Sequence, residues 1–342
     1  MVVTASTDAL LRRPGLGDRF GRTAVDLRVS LTDRCNLRCT YCMPVEGVPL
    51  MPAATALTDD EVVRLVRIGV ERLGIRKVRF TGGEPLLRRG LVDIVRRTKS
   101  LHPVPEVALT TNGIGLDRLA EPLAEAGLDR VNVSLDTIRR DTFLAITHRD
   151  RLEDVLAGLD AARRVGLRPV KVNAVLLRGV NDDQAADLLS WALDEGHELR
   201  FIEQMPLDAQ QAWQRSEMVT ADETYARLSE RFRLTPDDET RGSAPAERFR
   251  VDGDRGTVGV IAAVTRPFCG DCDRVRLTAD GHVRDCLFAR DETDLRTPLR
   301  EGATDEVVAL KWKRAITLKR AGHGIDDPAF LQPDRPMSAI GG

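Results

Sequence analysis

Three cysteines stand at 35, 39 and 42 in the stretch "VSLTDRCNLRCTYC", and three more at 269, 272 and 286, two of these within "CGDCDRVR". These are all the cysteines of the chain. A group of three cannot pair internally into disulfides without remainder, and disulfides are unusual in a reducing cytosol, so ligation is the chemistry that fits. The first spacing, C-x3-C-x2-C, follows a strand-like run directly. Three thiolates there can hold three irons of a [4Fe–4S] cluster and leave the fourth iron open.

An open iron can chelate an amino and a carboxylate group, and the methionine end of S-adenosylmethionine presents that pair. One electron from such a cluster then cleaves the C–S bond, and the unselective radical that results needs an enclosed, water-poor cavity. Structural zinc favours paired C-x2-C modules and four ligands, whereas the first group has three thiols and no nearby histidine. The second spacing, C-x2-C-x13-C, leaves two readings open. His282 near Cys286 could complete a zinc set, or the three thiolates could hold a second cluster with an open iron. Arg274 and Arg276 follow at alternate positions, and guanidinium forks suit phosphate oxygens.

The chain that carries these groups has 342 residues, 42% of them hydrophobic and 30% charged, as in ordinary globular proteins. Its net charge of −2 argues against a general nucleic-acid binder. No run approaches the ~20 apolar residues of a membrane span. The segment "MVVTASTDALLRRPGLGDRFGR" lacks an apolar core or cleavage pattern and is read as an untargeted arm, so a cytoplasmic location is expected.

Elements must then position the cysteines. Six strand-like runs, 26–31, 77–81, 107–112, 130–135, 170–175 and 199–205, alternate with amphipathic stretches, the clearest at 59–74. Thr58 and Glu61 form a capping-box pattern at its start. Successive strand–helix units imply a parallel sheet with right-handed crossovers. Along these strands Leu27, Val29, Val78, Phe80, Val131, Val133 and Val172 alternate with Arg28, Arg79, Asn132, Ser134, Lys171 and Asn173; Thr110 falls on the polar side as well. A doubly wound sheet wants both faces apolar, and a closed eight-stranded barrel fills its lumen with branched aliphatics. The polar face therefore predicts an incomplete parallel (β/α)6 TIM-like barrel around an anionic ligand. Beyond 206 the pattern changes. "TADETYARLSERF" reads as a helix, "TVGVIAAV" and "RVRLTADG" as antiparallel strands of an appended region, and 303–321 as a late helix. The expected limits are an arm at 1–24, the barrel at 25–235 and a C-terminal region at 236–342.

The pattern C-x3-C-x-aromatic-C, with Tyr41 as the aromatic, and "GGEP" at 82–85 one strand later resemble the radical S-adenosylmethionine enzymes. The wider set "KVRFTGGEPLLRR", "TTNG", "VNVSLD", "KVN", "RFIEQM", "FCGDCDRVR", "CLF" and the terminal "IGG" resembles the branch of that family that cyclises GTP in the first step of molybdenum cofactor biosynthesis, from about Asp26 to Gly342. The resemblance implies that Cys35, Cys39 and Cys42 bind the cluster used by S-adenosylmethionine, and that Cys269, Cys272 and Cys286 bind an auxiliary [4Fe–4S] cluster. It implies S-adenosylmethionine contacts from Tyr41, Gly83, Glu84, Ser134 and Met205. Arg28, Arg79, Thr110, Lys171 and the stretch Arg274, Val275 and Arg276 would bind GTP, and the tail Gly341–Gly342 would reach into the active site. Hydrogen would leave C3′ of the ribose, C3′ would join C8 of guanine, and the product would be (8S)-3′,8-cyclo-7,8-dihydroguanosine 5′-triphosphate. A homodimer, an electron donor and a downstream cyclic pyranopterin monophosphate synthase are implied as partners. Two rivals share part of the pattern: a peptide-modifying radical enzyme and a zinc-stabilised binding module.

Overall fold

Six strands succeed one another in the computed structural model, which describes residues 7–237 and 241–341. They are β1 (Asp26–Ser30), β2 (Lys77–Thr81), β3 (Glu106–Thr111), β4 (Arg130–Ser134), β5 (Lys171–Val175) and β6 (Glu198–Ile202). Each is parallel to the next. Leu27, Val29, Val78, Phe80, Val131, Val133 and Val172 are buried on the helix-covered side, as the alternation predicts. On the other side Arg28 stands opposite Arg79, Thr110 opposite Asn132, Asn132 opposite Lys171, and Ser134 opposite Asn173.

That polar side is concave. Thr81 at the end of β2 and Glu203 just past β6 line one cavity. Four strand steps in a flat sheet, at about 4.8 Å each, would separate them by roughly 19 Å. Curvature brings them together across a lumen.

Besides a short antiparallel pair, Leu16–Gly17 with Thr23–Ala24, the other strands are β7 (Leu234–Pro236), β8 (Glu247–Val251), β9 (Gly256–Ile261), β10 (Arg274–Leu277), β11 (His282–Arg284) and β12 (Thr293–Asp294). The sheet runs β12-β11-β10-β1-β2-β3-β4-β5-β6-β9-β8-β7. Here the sequence reading of "TVGVIAAV" and "RVRLTADG" is corrected. Each has one antiparallel neighbour, β8 or β11, but β9 also lies parallel to β6, and β10 parallel to β1. The free backbone edges of β1 and β6 take these strands, since unpaired edges are otherwise a liability. Nothing local in a strand says which distant edge it will cover.

The capping box of Thr58 and Glu61 is present, with both reciprocal hydrogen bonds. The α-helix ends at Arg67, however, and widens into a π turn over Ile68–Arg72. Gly69 in that turn meets Ile75 and Trp312, a Cβ there coming within 3.3 and 3.5 Å of them. Trp312 belongs to the helix Asp305–Thr317 and is fully buried. Among the described residues no helix is long and apolar enough to cross a membrane. Trp312→Ala is expected to cost about 3–5 kcal/mol of stability, measured by chemical denaturation of the apoprotein, because it empties the contact between this helix and the barrel wall.

Candidate functional site

The first cysteine loop leaves β1 and meets the turn that leaves β2. Gly83 N–H donates to the carbonyl of Thr32, and Glu84 N–H to that of Arg34, both at 2.7 Å. Side chains do not fit in this strap. A Cβ on Gly82 would lie 2.5 Å from the Thr32 oxygen, and one on Gly83 would lie 2.3 Å from the Arg34 oxygen. The cavity above it is lined by Cys35, Cys39, Cys42, Tyr41, Gly83 and, from β3, β4 and the β6 loop, Thr110, Ser134 and Met205. Burial raises the thiol pKa of Cys39, with Asp136 adding to it, and pushes that of Cys42 up to about 12. These thiols await a positive charge to ionise them. Tyr41 donates its hydroxyl to Asp136 at 2.8 Å, which fixes its ring at the cavity wall.

Glu84 is placed differently from the expectation of a cofactor contact. Its carboxylate is fully buried beneath the turn and accepts from Leu86 N–H at 2.9 Å, Thr111 Oγ1 at 2.7 Å and Asn112 N–H at 2.7 Å. Its acceptors serve the loops, which a "GGEP" motif alone does not reveal. The Val275 side chain lies in the hydrophobic core, because it alternates with Arg274 and Arg276 along β10, which leaves its backbone alone to meet a ligand.

Deeper in the lumen Arg276, Arg28 and Arg79 stand in register on three adjacent strands. Burial and then Arg28 lower the Arg79 pKa to about 9; burial and then Arg28 likewise lower that of Arg276 well below its ordinary value. Among the described residues, the Nε atoms of Arg28 and Arg79 are buried without a hydrogen-bond partner. Lys171 is held at 3.1 Å by Glu198, which also takes Arg200 at 2.5 Å, and Arg130 pairs with Glu106 at 2.6 Å. These carboxylates went unread in the sequence, although Glu198 and Arg200 alternate as clearly as the residues that were read.

Cys269, Cys272 and Cys286 line a second cavity with Arg274, Arg276, Phe268 and Met205, so Met205 borders both. His282 is not there. Its Nδ1 faces Asp280 at 3.3 Å. The histidine in this wall is His323, whose Nδ1 accepts from Ile325 N–H and whose Nε2 donates to the Ala263 carbonyl, both at 3.1 Å. Neither nitrogen is left for a metal, and among the described residues no three His, Cys, Asp or Glu side chains converge as a single-ion site. The tail closes the space between the cavities. Ile340 is buried beside Leu207 and Phe288, and the Gly341 carbonyl accepts from Arg276 at 2.6 Å. Gly341 has φ +83°, and a Cβ on it would lie 2.6 Å from Thr81. Gly342 lies outside the described residues.

Comparisons with known proteins agree with this arrangement. The Radical SAM superfamily profile matches residues 29–192, and that of Molybdenum Cofactor Synthesis C matches 197–325. The chain is 64% identical over 326 residues to a GTP 3′,8-cyclase of Streptomyces coelicolor, covering 95% of this chain and 96% of that one. It is 57% identical to a GTP 3′,8-cyclase of Mycobacterium sp. (strain KMS) over the full length of both. In fold it is similar to Streptococcus suis SuiB bound to S-adenosylmethionine, with a TM-score of 0.57 at 14% identity. That match covers 80% of this chain and 64% of SuiB.

Gly83→Ala forces the backbone beside Cys35 to move. Anaerobically reconstituted protein should fall from about eight to about four irons per chain, the loss confined to the first loop. The Glu84 carboxyl is pushed up to about 7 by burial, against its ordinary 4.5. The folded chain therefore keeps a proton that the unfolded chain releases, and this contribution to stability declines as pH rises from about 4.5 to about 7. Glu84→Gln removes that dependence but leaves a loop donor unpaired, at about 1–3 kcal/mol. Denaturation curves should show the gap between wild type and variant narrowing over that pH range.

Proposed function

The chain belongs to the GTP 3′,8-cyclase family of radical S-adenosylmethionine proteins, and from that premise we propose how its own residues carry the reaction. Its activity is the conversion of GTP to (8S)-3′,8-cyclo-7,8-dihydroguanosine 5′-triphosphate, the first step of molybdenum cofactor biosynthesis. Two [4Fe–4S] clusters and S-adenosylmethionine are its cofactors.

The donor sets fit them. Each cavity presents three thiols, and the ring nitrogens of the one histidine in the second wall are already engaged. Cys35, Cys39 and Cys42 would hold the first cluster, and Cys269, Cys272 and Cys286 the second. When bound, the first cluster with S-adenosylmethionine would supply the one-electron chemistry that removes hydrogen from C3′ of GTP, and the second would help to hold the guanine base. The open Gly82–Gly83 backbone, Tyr41, Ser134 and Met205 would seat S-adenosylmethionine; Glu84 acts beneath them by holding the turn to Thr111 and Asn112.

Arg28, Arg79, Lys171, Arg274 and Arg276 would take the triphosphate, with Thr110 at the border of the upper cavity. The observation that carries this reading is the arginine row with two unpartnered Nε atoms below a three-cysteine cavity. An anion there relieves both the repulsion and the desolvation of the row. The tail carbonyl on Arg276 occupies a donor of that row, which makes Gly341 part of the active-site wall. Enclosure by the barrel and the tail excludes water, so catalysis rests on positioning and confinement. The domain limits given above, a cytoplasmic location, a homodimer, an external electron donor and a downstream cyclic pyranopterin monophosphate synthase belong to the same proposal.

Anaerobic incubation of the reconstituted chain with GTP, S-adenosylmethionine and a reductant should yield 5′-deoxyadenosine and the cyclised nucleotide. Their absence with both clusters loaded refutes the reading. Arg28→Ala should weaken GTP binding at least tenfold, about 1.4 kcal/mol, with the iron content unchanged. Unaltered affinity would remove the arginine row from the substrate site.

A further inference from the structure

Lys319 follows the helix Asp305–Thr317 and is only 3% exposed. A buried ammonium group usually faces a carboxylate, because an unpaired buried charge is expensive. This one does not. Its Nζ donates to the Arg274 carbonyl at 2.8 Å, the Cys272 carbonyl at 3.4 Å and the Cys272 Sγ at 3.4 Å. Among the described residues no carboxylate is in ion-pair contact with it, although Asp285 is near enough for the two charges to influence each other.

Among the described residues, the first cavity has no cation donating to a cysteine sulfur. The Cys35 sulfur there accepts from the neutral Asn112 amide at 3.8 Å. Arg38, within the same loop, spends a guanidinium nitrogen on the Cys35 and Leu37 carbonyls. The two sites thus share a ligand type and differ in the donor to a ligand sulfur, a neutral amide at the first and an ammonium at the second.

We propose that Lys319 is a positioning residue of the second cluster, whose ammonium on the Cys272 sulfur sets that cluster's reduction potential above that of the first. The inference rests on the reading of Cys269, Cys272 and Cys286 as cluster ligands. Its physical basis is that one-electron reduction adds negative charge to the cluster, and a cation donating to a ligand sulfur stabilises the reduced form most. The electron comes from an external low-potential reductant and remains on the cluster.

The test is an anaerobic redox titration with dithionite, followed by electron paramagnetic resonance, on holoenzyme of the wild type, Lys319→Met and Lys319→Arg. In Lys319→Met the reduced-to-oxidised ratio of the second cluster at a fixed poise should fall at least tenfold, a shift of about 59 mV for one electron. The first cluster should not move, and Lys319→Arg should restore most of the ratio. Unchanged potentials in Lys319→Met, or equal shifts in both variants, overturn the proposal by making the residue a packing element. If Lys319→Met fails to retain the second cluster, Lys319→Arg decides. Retention at the wild-type potential supports the charge role, and loss there too overturns it. A wild-type chain that shows one cluster alone overturns the ligand reading itself, and iron analysis separates that outcome from the others.

Discussion

Three guanidinium groups, one buried and two half-buried, lie side by side on adjacent strands, and much of the molecule is arranged around the cost of keeping them there. Arg276, Arg28 and Arg79 share one register and one low-dielectric lumen, where like charges repel far more strongly than at a surface. Asp26 sits among them with its pKa lowered; burial opposes that shift, and Arg28 and Arg79 overcome it. Glu106 and Glu198 hold the cations of the facing strands. The lumen is still left with more cations than carboxylates, and a wall built this way is complete only with an anion inside it.

The upper half of the site rests on backbone contacts instead of charge. Gly82 and Gly83 let the β2 turn lie directly on the cysteine loop, and the buried Glu84 carboxylate locks that turn to the end of β3. Glu203 plays the corresponding part at the end of β6. It accepts from the backbone N–H groups of Ala221, Val264 and Thr265 at 2.8–2.9 Å, tying the barrel rim to the segment that leads to the second cysteine group. Two buried carboxylates, each saturated by loop donors, thus fix the two cysteine sites to one frame.

How much of this could be read from the sequence depends on range. Strand faces repeat every two residues, so Arg28, Arg79, Thr110, Ser134 and Lys171 could be placed on the lumen side from their neighbours alone. The same rule applied to β10 would have turned Val275 toward the core, and it was the motif that obscured this. Glu84 was assigned to the cofactor because a motif gives residue types and not the direction of a side chain in a turn. His282 was a plausible ligand by spacing, but β11 carries it to Asp280, and His323 takes the wall position with both nitrogens occupied. Lys319 left no local trace, since it meets Cys272 across 47 residues of chain. The parallel pairing of β9 and β10 onto the barrel edges was illegible for the same reason.

That edge pairing bears on how the protein is made. Synthesis runs from the N-terminus, so β1 to β6 emerge with the flank of β1 bare until Arg274–Leu277 follows, roughly 75 residues after Ile202. At about 5–20 residues per second the ribosome needs several seconds for that stretch. For that time a nearly finished barrel carries an open parallel edge at the strand that leads into the first cysteine loop. Until then that strand is also a template for pairing with another chain.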